Sequence, residues 1–155
     1  MSAALSAARE GFIQFMKRDT TLEERTRLLA VLDAMIAWSN ASRAHIRFRD
    51  DANRKGAVRF EHVASGAVFW AAIPRRQQAP LLQIPGAARI LSEEERATII
   101  GTLGAHTRET LDPRGHLQIS FGALKNAAAC AAVLELMGEL LRKSDAENRS
   151  LAQAS

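Results

Sequence analysis

The 155-residue chain is poor in several things, and each shortage removes a class of protein. It has one cysteine, Cys130, set in an alanine-rich apolar stretch, so no internal disulfide can form and a disulfide-stapled secreted scaffold is excluded. It has no tyrosine, and aromatics make up only 5% of it, so the core must be closed mainly by aliphatic side chains. Proline and glycine are few, at 4 and 9 residues, which argues against a collagen-like or low-complexity chain. Long apolar runs are also missing. The two longest, 28–38 and 127–137, are interrupted by Asp33 and Glu135 and fall short of the roughly 20 residues that cross a bilayer. Arg9 and Glu10 stand where a signal peptide would carry an unbroken apolar stretch. The expectation is a cytoplasmic protein that makes no use of a membrane.

What the chain has in quantity is alanine, 29 residues, and arginine, which supplies 17 of its 21 basic residues. An apolar content of 47% against 25% charged residues is enough for one core at this length, and disorder is not expected. The formal charge is +4, and it is not spread evenly. Residues 1–42 hold 5 basic and 5 acidic residues and residues 77–155 hold 8 and 9. Residues 43–76 hold 8 basic and 3 acidic residues and so generate the whole excess.

Hydrophobic spacing assigns the elements. Leu5, Ala8, Phe12, Phe15 and Met16 recur at helical intervals. Thr21 and Glu24 then form a capping box that opens a second helix running to about Trp38. Its later half, 28–38, is apolar nearly all round, which predicts burial against several neighbours or a homodimer through this helix. Asp33 lies inside that run, where it either meets a partner such as arginine or marks the solvent edge. From Ser42 the period changes to two, with Ala44, Ile46 and Phe48 alternating with Arg43, His45, Arg47 and Arg49. Further strands are expected over 57–63 and 67–73, joined by a tight turn at Ser65 and Gly66. A short one over 81–84 is placed near a sheet edge by its prolines. Ser92 and Glu95 cap a helix to about Leu103, 117–121 alternates as a last strand, and a final helix covers 124–141. The fold class is therefore α+β: two N-terminal helices, an antiparallel meander of three to four strands, then helix, strand and C-terminal helix, with the helices on one face of the sheet. The domain is assigned to 1–143, and 144–155 reads as a polar tail that frays.

The alternation from Arg43 to Arg49 gathers basic side chains on one side of a strand, and hairpin pairing brings Arg59 to the same face with Glu61 as a partial neutraliser. Arg54 and Lys55 lie in the intervening turn, and Trp70 joins the face as a stacking surface if the Ser65–Gly66 turn is two residues long. The candidate site is thus Arg43, His45, Arg47, Arg49, Arg54, Lys55, Arg59 and Trp70, and its expected partner is nucleic acid or another polyanion. The alternative is an ordinary solvated sheet face whose charges discourage edge pairing.

Signatures of catalysis are thin. The four histidines, His45, His62, His106 and His116, show no zinc-ligand spacing, and no nucleophile elbow, phosphate-binding loop or dinucleotide fingerprint is present. Asp50, Asp51 and Glu61 lack the lysine that a metal-dependent nuclease pattern would place after them and read as turn acids. No catalytic residue, metal or cofactor is assigned. The string Ile99, Ile100, Gly101, Thr102, Leu103, Gly104 resembles the I-G-x-x-G loop of KH nucleic-acid-binding domains, although its middle positions carry no basic side chain and a glycine pair also simply ends a helix. The expected function is a non-enzymatic binding module for an anionic partner. The competing expectations are a protein-interaction or homo-oligomeric scaffold, and a small enzyme or metabolite-binding protein with an enclosed pocket.

Overall fold

Capping fixes where the first two helices begin. The structure is a computed structural model that describes residues 2–50, 56–85, 90–103 and 117–154. Helix α1 (Ala3–Met16) starts where Ser2 Oγ accepts the Leu5 N–H at 3.1 Å. Helix α2 (Leu22–Ala41) starts where Thr21 Oγ1 accepts the Glu24 N–H at 3.2 Å. Only this half of the expected capping box forms, because the Glu24 carboxylate turns to Lys125 Nζ at 2.9 Å and ties α2 to the segment that follows the strand Leu117–Ser120.

The sheet has the order β1 (Ile46–Phe48), β2 (Val58–His62), β3 (Val68–Arg75), β4 (Gln78–Ile84) and β5 (Leu117–Ser120), every neighbouring pair antiparallel. Helix α3 (Glu93–Leu103) comes between β4 and β5 in the chain. The one-turn helix α4 (Phe121–Leu124) and the long α5 (Ala127–Ala154) follow β5. The architecture is α+β with the helices on one face of the sheet, as the sequence pattern indicates. Ser92 and Glu95 make the complete capping box at α3: Ser92 N–H donates to Glu95 Oε1 and Glu95 N–H to Ser92 Oγ, each at 3.1 Å.

The core lies between the sheet and the helices. Ile46, Phe60, Trp70, Leu82, Leu117 and Ile119 meet Phe12 of α1, Leu28, Leu32, Met35 and Ile36 of α2, and Val133, Met137 and Leu140 of α5. Burying each large apolar side chain stabilises the fold by about 1.5–3 kcal/mol. The apolar run of α2 is thus covered within one chain, with Leu28, Val31, Leu32, Met35 and Ile36 all buried. Asp33 stays 45% exposed at the rim of this helix, where Arg9 grips both of its oxygens at 2.8 and 2.9 Å. The guanidinium's hydrogen bonds to the Asp33 carboxylate, and then the attraction of that charge, raise the Arg9 pKa above its ordinary value.

Three local expectations need correcting. The first strand is shorter than the alternation suggests, because α2 ends in a turn over Ser42–His45 in which His45 and Ile46 both donate to Ser42 O, so Arg43 belongs to that turn. The 81–84 strand is interior, not at an edge: β4 pairs with β3 and with β5. Its Pro80 is tolerated because pairing with β5 begins only at Leu81↔Ser120 and the β3 register is already broken between Ile73 and Arg75. The polar segment from Ser144 on does not fray but continues α5 to Ala154, held by contacts of Asp145 described below.

Candidate anion-binding surface

The edge strand β1 alternates as its sequence requires. Ile46 is buried and Phe48 packs edge-on against Phe60 at 5.8 Å, while Arg47 and Arg49 are exposed. Register sets Arg47 opposite Glu61, and their side chains meet at 2.5 Å, so the expected neutraliser is found. Arg43 is exposed in the preceding turn, and His45, beside it, is also exposed. Arg43 and Arg49 pair with no carboxylate among the described residues.

Two members of the expected set are not presented to solvent there: Trp70 lies on the other face, and Arg59 keeps the face of Arg47 and Glu61 but is covered. Trp70 is fully buried, stacked on Phe60 at 4.9 Å between ring centres, and its Nε1–H donates to Ser39 Oγ at 2.8 Å. It is a core residue on the opposite side of the sheet from Arg47. Arg59 is only 8% exposed, so its charge is not presented to solvent with those of β1. Arg54, Lys55, His106 and His116 lie outside the described residues, as does Gly104 of the I-G-x-x-G string, whose Gly101 falls within α3.

The surface extends in a direction the local sequence does not reveal. Helix α5 passes beside the Ser42–His45 turn, and a groove of about 510 Å³ between them is lined by Trp38, Ser42, His45, Gly138, Leu141, Arg142, Asp145 and Arg149. Arg142 and Arg149 are exposed and, like Arg43, pair with no described carboxylate. Glu135 and Glu139, exposed on the same helix, do not line the groove.

The one carboxylate among the described residues of the groove is doubly engaged. Asp145 Oδ2 meets His45 Nδ1 at 2.9 Å and Asp145 Oδ1 meets His62 Nε2 at 2.6 Å. His62, with a side chain only 5% exposed, reaches Ser65 Oγ through Nδ1 at 2.9 Å. One assignment of protons satisfies every atom: Ala67 N–H donates to Ser65 Oγ, the Ser65 hydroxyl to His62 Nδ1, and the two remaining imidazole N–H groups to Asp145. The chain has the members of a serine nucleophile system but not its surroundings. Two neighbouring backbone donors are engaged, Gly66 N–H on His62 O and Ala67 N–H on Ser65 Oγ, and so are not free to hold an oxyanion at Ser65. These bonds clamp the middle of α5 to the β2–β3 turn, where Gly66 takes the left-handed backbone that the turn needs.

A second, larger cleft of about 620 Å³ lies between the end of α1 and the β3–β4 turn, with Gln14, Phe15, Arg18, Asp19, Arg76 and Gln77 on its walls. Here two arginines face one aspartate, whose Oδ2 accepts the Gln77 N–H at 3.0 Å. Among the described residues no three histidine, cysteine, aspartate or glutamate side chains converge as a metal site, and no helix is long and apolar enough to cross a membrane. The chain matches no family model, no curated protein and no solved structure among those compared with it.

Proposed function

We propose that this protein is a non-enzymatic binding module that engages a polyanion, nucleic acid in the first place, on the surface formed by β1, the Ser42–His45 turn and α5. The observation that carries this reading is the charge arrangement around the groove. Arg142 and Arg149 reach it from α5, and Arg43 flanks it from the turn, all exposed and without described carboxylate partners. Asp145, the only acid among the described residues of its lining, already accepts from two imidazoles. Guanidinium groups held this way are suited to paired hydrogen bonds with phosphate oxygens. Arg47 and Arg49 are exposed at the neighbouring sheet edge, on the face turned away from the helices, with Arg47 partly answered by Glu61.

Phosphate contacts release counterions, so such binding weakens steeply with salt, with a slope of about −0.7 in log K per log salt for each phosphate neutralised on a single strand. Fluorescence anisotropy of a labelled oligonucleotide over a salt series tests the reading. It predicts binding at low salt, a slope corresponding to several phosphates, and a fall in affinity on the order of tenfold or more for Arg142→Glu with Arg149→Glu. Absence of binding at low salt, or affinity indifferent to salt, overturns it.

A further inference from the structure

Resting on the polyanion reading, we propose that the groove between the end of α2 and α5 receives an unstacked base of a single-stranded nucleic acid against the indole of Trp38. The indole is fixed before any ligand arrives, because it stacks on Phe69 with ring centres 6.1 Å apart and planes 18° from parallel. It is only half-buried, and the part left uncovered forms a wall of the groove. Leu141 adds an apolar contact, and Arg142 and Arg149 stand at the same opening to take the flanking phosphates.

The groove is open at the point where a side chain would otherwise close it. Gly138 of α5 lines it, and a Cβ built there meets nothing closer than Arg142 Nη1 at 3.7 Å. A planar apolar wall beside guanidinium groups matches the chemistry of a base attached to its phosphates, since every base has a face to stack and every nucleotide a charge to pair. A duplex keeps its base faces inside its own stack and cannot offer one to the indole, so the single strand is the partner of choice.

The chain itself carries the probe. It has two tryptophans and no tyrosine, and Trp70 is sealed in the core, so a change in emission on binding reports Trp38. The full-length protein is titrated at low salt with three probes: a short oligothymidylate, a DNA duplex and inorganic polyphosphate, which has phosphates but no bases. The oligothymidylate is expected to bind with quenching of tryptophan emission, and polyphosphate and duplex to bind more weakly and without quenching. Gly138→Leu, which fills the groove without altering charge, is expected to weaken oligothymidylate binding about tenfold, abolish the quenching, and leave polyphosphate binding within about twofold. Trp38→Phe keeps oligothymidylate affinity because it keeps a stacking face, whereas Trp38→Leu loses it, and this pair decides the matter if Gly138→Leu does not fold. Oligothymidylate binding without quenching, or equal affinity of the Trp38→Phe and Trp38→Leu proteins, overturns the groove proposal while leaving the polyanion reading intact. Failure of all three probes to bind overturns the polyanion reading itself.

Discussion

The two tryptophans show how one helix end serves two regions of the molecule. Ser39 faces inward from α2 and accepts the Trp70 Nε1–H, closing a buried stack of Trp70 on Phe60. Trp38, one residue earlier and so about 100° round the helix, points to the flank and leaves part of its ring in the groove beside α5. In the core region the polar atom of the indole is satisfied internally and nothing remains for a ligand. In the groove region the ring and the nearby arginines remain available, and only the acid is taken. The difference separates a residue kept for stability from one open to a partner, although both are the same amino acid packed against a phenylalanine.

That comparison is broken most forcefully by truncating each ring. Trp70→Ala is expected to destabilise the fold by about 3–5 kcal/mol through the cavity it leaves. Trp38→Ala should cost roughly 1–2 kcal/mol and act mainly on oligonucleotide binding. Denaturant unfolding measures both, and equal losses would mean that Trp38 is as structural as Trp70.

Next in size is the clamp between the two regions. Asp145→Ala leaves the Nε2 of buried His62 without its acceptor and should cost about 1–3 kcal/mol. His45→Ala removes a solvent-exposed partner of the same carboxylate and should stay within about 0.5 kcal/mol of wild type. A larger loss from the His45 change than from the Asp145 change would reverse the assignment of the buried bond as the structural one.

The smallest effect concerns another contact in the middle of α5, where Lys143 bonds Glu95 of the α3 cap. Lys143, and then the Ser92 backbone N–H, hold the Glu95 carboxyl below its ordinary pKa. A carboxyl lowered in the folded state contributes stability above the ordinary glutamate range and loses it as pH falls through the lowered value. NMR titration should therefore find Glu95 ionised to lower pH than an unpaired glutamate, and Lys143→Met should move its midpoint back up. An unchanged midpoint would show that the cap alone sets it.

Much of the fold was legible in the sequence, because alternation and capping are local. Ile46 and Phe48 against Arg47 and Arg49, and Ser92 with Glu95, read directly as the strand and the helix start they form. Trp70 was harder to place because a face is decided by register, and a slip of one residue exchanges the two faces. A two-residue turn at Ser65 and Gly66 would have set Trp70 opposite Glu61. His62 N–H instead donates to Ala67 O, which lengthens the loop by two residues and by itself keeps Trp70 on that face. A one-residue shift at Phe69, between the Glu61↔Val68 and Phe60↔Trp70 pairs, then turns Trp70 to the face of Phe60. The burial of Arg59 has a different origin: it stands on the face that alternation names, but alternation does not say what lies over it. Least legible was the α5 half of the groove. Asp145 and Arg149 stand in the stretch whose polarity suggests a solvated tail, with Arg142 just before it, and the His62–Asp145 bond joins residues 83 positions apart, beyond the reach of any spacing rule.

The central claim is that binding belongs to one basic surface and not to net charge, and two charge reversals of equal size test it side by side. Arg142→Glu with Arg149→Glu alters the groove, while Arg18→Glu with Arg76→Glu makes the same change in total charge at the larger cleft beside α1. Oligonucleotide affinity measured at one low salt concentration should fall by on the order of tenfold or more in the first protein and stay within about threefold of wild type in the second. Equal losses in the two proteins, or a greater loss in the second, would contradict it.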